Sequence, residues 1–114
     1  MKFNIDQYKG NYAMHCKTLE EAMFFLDYLR NLGRHWCNGE RYAGTVTGTN
    51  FNSHGDATGY AFNEGRYGNI PWYTEHDYTV LTFEDFEWEG LDLPSPTTTD
   101  LKRFNNFFSQ FVIT

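Results

Sequence analysis

The stretch TLEEAMFFLDYLRNLG, residues 18–33, is the clearest element of this 114-residue chain and decides its fold. Thr18 and Glu21 match the capping box, in which each side chain accepts a hydrogen bond from an amide at the start of a helix. A helix over residues 19–32 follows, and Gly33 stands where a left-handed C-terminal cap belongs. Apolar residues recur at helical spacing, so we expect one face of this helix to be buried against a sheet.

Phe24 and Tyr28 break this pattern because their helical angles place them on the polar side. Their spacing of four residues allows the two rings to stack on each other. One interpretation is a second packing layer beneath the C-terminal part of the chain. The other is an exposed aromatic pair that binds a partner.

Extended segments lie on both sides of this helix. Residues 11–16 predict a short strand, and residues 34–56 predict a strand fragment and a long loop. A hairpin is expected from residues 60–62 and 66–68, with a further turn at residues 69–71. Residues 77–83 form the best strand, and its two apolar faces favour a central position. The chain is therefore expected to be α+β, with a small antiparallel sheet packed on one N-terminal helix.

A change in composition separates residues 1–92, the α+β domain, from residues 93–114. The sequence LPSPTTT, residues 93–99, predicts a stiff linker. An amphipathic helix capped by Thr99 or Asp100 follows, and its apolar stripe consists of Leu101, Phe104, Phe107, Phe108 and Phe111. That stripe requires burial, either on the same domain or in a second subunit of a homodimer.

The charge of the chain limits its partners. The net charge is −6 and the sequence pI is about 5.0, so we expect no direct binding of duplex DNA and instead a basic protein partner. No apolar run reaches the length that spans a membrane, and the N-terminus does not match a signal peptide. Two cysteines do not make a disulfide framework, so the expected location is the cytoplasm.

The negative charge is concentrated in TFEDFEWEGLDLPSP, residues 82–96. Five carboxylates fall within nine residues and no positive charge interrupts them: Glu84, Asp85, Glu87, Glu89 and Asp92. One interpretation is an edge whose charges prevent sheets from pairing. The other is an anionic surface that occupies a basic nucleic-acid groove of a partner protein, with Trp88 as its apolar anchor.

Candidate catalytic and metal-binding groups are few. His15, Cys16, His35 and Cys37 supply zinc-type ligands, but adjacent residues of a strand point to opposite faces, which works against a shared ion. His54 with Asp56 and His76 with Asp77 offer base-and-orienter pairs without an accompanying nucleophile motif. We therefore expect no catalytic residue, no metal and no cofactor.

Three segments carry a family resemblance: YAMHCKTLEEAMFFLDYLRNLGRHWCNGERY (12–42), TGYAFNEGRYG (58–68) and DYTVLTFEDF (77–86). Together they resemble small proteins encoded by phages and mobile elements of low-GC Gram-positive bacteria, over about residues 12–86. Residues 87–114 look like an addition to that module. Some small acidic proteins of such elements are anti-CRISPR inhibitors that bind Cas effector nucleases. The resemblance implies no established functional residues.

The leading hypothesis is therefore an anti-CRISPR protein that binds a Cas effector nuclease, with or without its guide RNA, through the acidic surface. A second hypothesis is a protein that sequesters a nucleotide signal or another small ligand in an aromatic pocket of Tyr60, Tyr67, Trp72 and Tyr73. A third is an interaction module that forms a homodimer through its C-terminal helix.

Overall fold

The computed structural model describes residues 1–88, and these residues form an α+β fold. The elements are β1 (Tyr12–Cys16), α1 (Leu19–Asn31), β2 (Thr58–Ala61), β3 (Arg66–Asn69), α2 (Ile70–Glu75) and β4 (Thr79–Thr82). The four strands make one sheet in the order β3-β2-β1-β4. The predicted α+β class is confirmed, whereas the linker and helix predicted within residues 93–114 lie outside the described residues.

Both ends of α1 form as the sequence predicts. The Thr18 hydroxyl accepts a hydrogen bond from the Glu21 amide at 3.2 Å, and the Glu21 carboxylate accepts one from the Lys17 amide at 2.8 Å. At the other end Gly33 has φ +81°, and the Arg34 amide donates to the Leu29 carbonyl at 3.0 Å. This is the Schellman arrangement, which satisfies carbonyls that the helix leaves free.

The sheet is mixed, so the prediction of an antiparallel sheet is wrong in part. β1 pairs antiparallel with β2, and β2 with β3, but β1 and β4 are parallel, with Tyr12 opposite Thr79 and Ala13 opposite Val80. Parallel neighbours require a connection that crosses the sheet, and α2 belongs to that connection. The crossing carries the chain from β3, at one edge, to the far side of β1.

The helix α2 begins where the sequence predicts only a turn. The Asn69 side chain accepts a hydrogen bond from the Trp72 amide at 2.8 Å, and Pro71 lies in the first turn, where a missing amide costs nothing. Because the crossover places β4 beyond β1, β4 lies at an edge of the described sheet rather than at its centre. Its two apolar faces have another cause: Leu81 packs against the core on the α1 side, and Val80 packs on the α2 side.

Two aromatic-rich layers cover the two faces of the sheet. The larger lies between the sheet and α1, and its fully buried members include Met14, Phe25, Leu26, Tyr60 and Phe83. On the other face, Tyr73 of α2 packs over Ala13 and Ala61. The ring of Tyr73 also lies over the paired residues Gly59 and Gly68, because a Cβ on Gly59 would stand only 3.2 Å from it.

Candidate functional site

The described part of the acidic run does not form a free row of charge. Glu84, Asp85 and Glu87 are all exposed at the end of β4 and beyond it, while Glu89 and Asp92 lie outside the described residues. The Glu84 carboxylate pairs with the Lys17 ammonium at 2.6 Å, and the Glu87 carboxylate pairs with the N-terminal ammonium at 3.2 Å. Such exposed pairs contribute little to stability, but each one cancels charge that a basic partner would meet.

Trp88 is buried, so its predicted role as an exposed anchor is wrong. Only 8% of its surface is accessible. Its ring stacks on Phe83 with centroids 4.4 Å apart, and its indole N–H donates to the Phe83 carbonyl at 2.9 Å. The chain turns inward after the short helical turn Phe83–Asp85, and the apolar area of the indole favours burial over exposure.

Phe24 and Tyr28 pack inside the protein, as the first of their two interpretations predicts. Both are partly buried, and each contacts the ring of Trp88, at centroid distances of 5.8 Å and 5.2 Å. Tyr28 also meets Phe3 at 5.8 Å. Segments from both ends of the described chain therefore pack against this pair, which favours the first interpretation.

A concentration of carboxylates remains around Lys17. Its hydrogen bond and ion pair with Glu84 raise the pKa of Lys17, and the negative charges of Glu21 and Asp85 raise it further. Burial is the main cause that raises the pKa of Glu21, while the bond from the Lys17 amide opposes that rise. The Lys17 ammonium thus lies near the carboxylates of Glu84, Asp85 and Glu21, and Glu21 is buried.

The raised pKa of Glu21 predicts a pH-dependent effect on stability. The folded chain holds this proton more tightly than the unfolded chain, so the contribution of Glu21 to stability falls as the pH rises above about 4.5. Glutamine cannot ionise and keeps an acceptor for the Lys17 amide. We expect Glu21→Gln to be at least as stable as the native chain at pH 7 and to lose that advantage towards pH 4, as measured by thermal unfolding. Glu20→Gln is the matched control, and a Glu21→Gln variant less stable than native at pH 7 would contradict the assignment.

A second surface feature is an open cleft of about 370 Å³ beside β3, at the opposite edge of the sheet from β4. We name it the aromatic cleft. Its lining residues are Trp36, Cys37, Asn38, Glu40, Asn50, Gly65, Arg66 and Tyr67. The rings of Trp36 and Tyr67 meet edge to face with their centroids 5.9 Å apart, and 39% of the surface of Tyr67 is exposed. The volume lies at the lower end of the range typical of small-molecule sites.

Backbone hydrogen bonds hold the loop that carries Trp36. The Trp36 amide donates to the Glu40 carbonyl at 2.8 Å, and the Gly39 amide donates back to the Trp36 carbonyl at 2.8 Å. The Cys37 amide donates to the Gly65 carbonyl at 3.0 Å, which ties this loop to the β2–β3 hairpin. The wall of the cleft is thus held in place before any ligand arrives.

Buried tyrosines lie behind Trp36. Its ring contacts Tyr42 at 4.6 Å and Tyr60 at 6.4 Å. Burial raises the pKa of Tyr42 to about 12, and it raises the pKa of Tyr60 further. The Tyr60 hydroxyl donates a hydrogen bond to the Thr49 carbonyl at 2.6 Å. Both hydroxyls therefore remain protonated at neutral pH and give the cleft an uncharged support.

The aromatic pocket predicted from the sequence is divided by the sheet. Tyr60 and Tyr67 are cross-strand partners on the α1 face, whereas Trp72 and Tyr73 belong to α2 on the other face. Tyr73 is buried, and Trp72 stacks on His76 with centroids 3.8 Å apart. These four residues do not form one site, because the sheet separates Tyr60 and Tyr67 from Trp72 and Tyr73.

Much of the aromatic cleft lies within residues 34–56, for which the sequence predicts only a strand fragment and a long loop. The signal that was available is the pair of large rings, Trp36 and Tyr42, within a segment rich in glycine and asparagine. Two large rings in a polar loop need an apolar surface of the same protein to pack against. Here Tyr42 is buried and Trp36 is left partly exposed at the cleft.

The histidines and cysteines are dispersed. The His15 ring bonds to the Asp56 carbonyl at 2.6 Å, whereas Cys16 is fully buried, and burial raises the pKa of its thiol. His76 Nδ1 lies 2.7 Å from the Trp72 carbonyl, and Cys37 is exposed in the cleft. Among residues 1–88, no group of three or more His, Cys, Asp or Glu side chains is placed to hold a metal ion.

Comparison with known protein families, with curated proteins and with solved structures found no match to this chain. The resemblance to phage-encoded proteins therefore stays a prediction. Within the described part of the chain, neither helix combines the length and apolarity that a membrane span requires.

Proposed function

We propose that this chain binds a small planar nitrogen heterocycle, of the nucleobase or nucleoside class, in the aromatic cleft. The observation that carries this proposal is the partly exposed pair of rings, Trp36 and Tyr67, held at the mouth of a cleft of about 370 Å³. Every base offers a flat face for stacking, and stacking on an aromatic side chain contributes about 1–3 kcal/mol.

Polar groups at the rim supply the means to orient such a ring. Asn38 and Asn50 each carry an amide donor and acceptor, and Glu40 supplies an acceptor for an exocyclic amine. The register pairs Arg66 with Ala61, which places its side chain on the opposite face from Tyr67. Glu40 is the one acidic residue among the described residues that line the cleft, which favours a neutral or cationic heterocycle. In a cell, such binding would sequester a nucleobase-containing signal without transforming it.

We expect Tyr67→Ala to weaken binding of adenosine, cytidine or guanosine by about 5- to 100-fold, because it removes one stacking ring. The measurement is a titration by NMR or calorimetry with each nucleoside. Trp72→Ala is the matched control, since Trp72 is similarly exposed but lies on the α2 face. Equal affinities of the native chain and Tyr67→Ala, or no binding of any nucleoside at millimolar concentration, would contradict the proposal.

The acidic surface supports a second candidate, a stoichiometric inhibitor of a basic nucleic-acid-binding protein such as a Cas effector nuclease. The supporting observation is the pair of exposed carboxylates, Glu84 and Asp85, that lie near the Lys17 ammonium. Complementary charge of this kind accelerates association with a basic groove. The buried position of Trp88 removes its anchor from this hypothesis, so affinity would depend on charge and would fall steeply with salt.

The second candidate predicts that Glu84→Gln with Asp85→Asn lowers inhibition of a Cas nuclease at least about tenfold at low salt, while the fold is retained. DNA cleavage at increasing ratios of this protein to nuclease measures the effect. Glu75→Gln with Asp6→Asn is the control, because it removes the same charge from exposed positions outside β4 and its two ends. Inhibition that is unchanged by the first pair, or absent in the native chain, would refute this candidate.

A further inference from the structure

The outer edge of β4 presents unpaired backbone groups. β4 pairs with β1 on one side, and no described strand lies on the other side. The Thr79 amide donates to the Asn11 carbonyl at 2.9 Å, so Thr79 turns its backbone towards β1. Since successive residues of a strand alternate, Val80 and Thr82 turn their amides and carbonyls to the outside.

β4 is only four residues long, and its sequence carries no lysine, proline or bulge to prevent strand pairing. Natural edge strands carry lysines, prolines or bulges that keep other chains away. Residues 79–82 read TVLT, with neither a charge nor a proline, and three of the four are β-branched. A regular, uncharged row of this kind is the geometry to which extended peptides add as a further strand.

Carboxylates lie at both ends of the edge. Asp77 comes two residues before Thr79, Glu84 and Asp85 follow the strand, and all three are exposed. The Lys17 ammonium pairs with Glu84 and cancels one of these three negative charges, so the net charge around the edge stays negative. In an antiparallel pairing of two copies centred on Leu81, the end of the edge with Asp77 in one copy would meet the end with Glu84 and Asp85 in the other, and these like charges would repel. The charges therefore select against a second copy and in favour of a basic partner.

We infer that the outer edge of β4 binds an extended peptide segment of a partner protein by strand addition. The segment has a β-branched centre that pairs with Val80 and Thr82, and lysine or arginine residues on both sides of that centre. This inference is independent of nucleoside binding, because the aromatic cleft lies at the other edge of the sheet.

The first test uses the full chain and a synthetic peptide of alternating threonine and valine with two lysines at each end. We expect saturable binding by calorimetry that weakens as salt is added. Two control peptides should bind at least about tenfold more weakly. One has glutamates in place of the lysines, and the other carries N-methyl groups on alternate backbone amides. No binding of the lysine peptide, or equal binding of the N-methylated peptide, would overturn the inference.

The second test uses two substitutions at one position. Thr82→Pro removes an amide that faces outward, and proline is tolerated at such edge positions, whereas Thr82→Ala keeps the amide. We expect Thr82→Pro to weaken binding of the lysine peptide at least about tenfold and Thr82→Ala to bind like the native chain. If Thr82→Pro does not fold, Glu84→Gln with Asp85→Asn should weaken binding of the same peptide in its place.

Two further results would each overturn the inference. One is equal binding of the lysine peptide by Thr82→Pro and Thr82→Ala. The other is a dimer of the native chain in sedimentation that Thr82→Pro dissociates, because the edge would then belong to a second copy.

Discussion

Replacing Trp88 with alanine is expected to lower the free energy of unfolding by about 3–5 kcal/mol, the usual cost of deleting a large buried ring. The indole stacks on Phe83 and makes further ring contacts with Phe3, Phe24 and Tyr28, so its removal opens a cavity among side chains from both ends of the described chain. Domains of this size are stable by about 5–15 kcal/mol, so the variant should lose a large fraction of its stability. Chemical denaturation measures the change.

Two substitutions separate the contributions of the ring and of the indole N–H. Trp88→Phe keeps an aromatic ring but removes one of the two donors to the Phe83 carbonyl, which keeps the Phe86 amide at 3.2 Å, so the lost hydrogen bond should cost about 0.5–1.5 kcal/mol. Trp72→Ala removes an indole that is 46% exposed and should cost less than about 1 kcal/mol. A Trp88→Ala variant no less stable than Trp72→Ala would show that Trp88 is exposed in solution, and the anchor hypothesis for the acidic surface would then return.

Replacing Gly65 with alanine is expected to cost about 2–5 kcal/mol, from two sources. Gly65 has φ +74°, a left-handed conformation that costs other residues about 1–2 kcal/mol. An added Cβ would also stand 2.5 Å from the Cys37 amide nitrogen and 2.8 Å from the His35 carbonyl oxygen. Both are backbone atoms of a hydrogen-bonded loop, so relieving the overlap should cost about 1–3 kcal/mol more.

Gly39→Ala is the matched control for this substitution. Gly39 lies in the same loop with φ +92°, but a Cβ there would have no neighbour within 4 Å. It should therefore show only the conformational cost, about 1–2 kcal/mol. Thermal and chemical unfolding of both variants would measure the difference. Equal losses for the two would contradict the close packing of the hairpin against the Trp36 loop.

Local features of the sequence predicted local structure well. The capping pair Thr18 and Glu21, the apolar stripe and Gly33 each place a boundary of α1, because the interactions involved span only a few residues. The β2–β3 hairpin was predicted for the same reason, since its turn contains Gly65 at positive φ. Asn69 and Pro71 also match the pattern of a helix start, and α2 begins there, although the sequence pattern had favoured only a turn at residues 69–71.

The candidate sites depended on contacts between distant segments. The aromatic cleft requires the loop around Trp36 to meet Gly65 and Tyr67, and no periodicity within either segment indicates that meeting. The sequence shows directly that residues 84–92 are rich in carboxylates. Their charge, however, is partly cancelled by Lys17 and by the N-terminus, which lie far from them in the chain.

By itself, the sequence determined the helix α1, the hairpin, the α+β class and the negative charge of the chain. Tertiary structure alone decided the parallel position of β4, the burial of Trp88 and the division of the tyrosines between two faces. Capping, turn formation and periodicity are set by neighbours along the chain. Strand order and burial depend instead on which apolar surfaces finally cover one another. Here α2 crosses the sheet and carries β4 past β1, so among residues 1–88 β4 becomes an edge strand, a position that no local pattern marks.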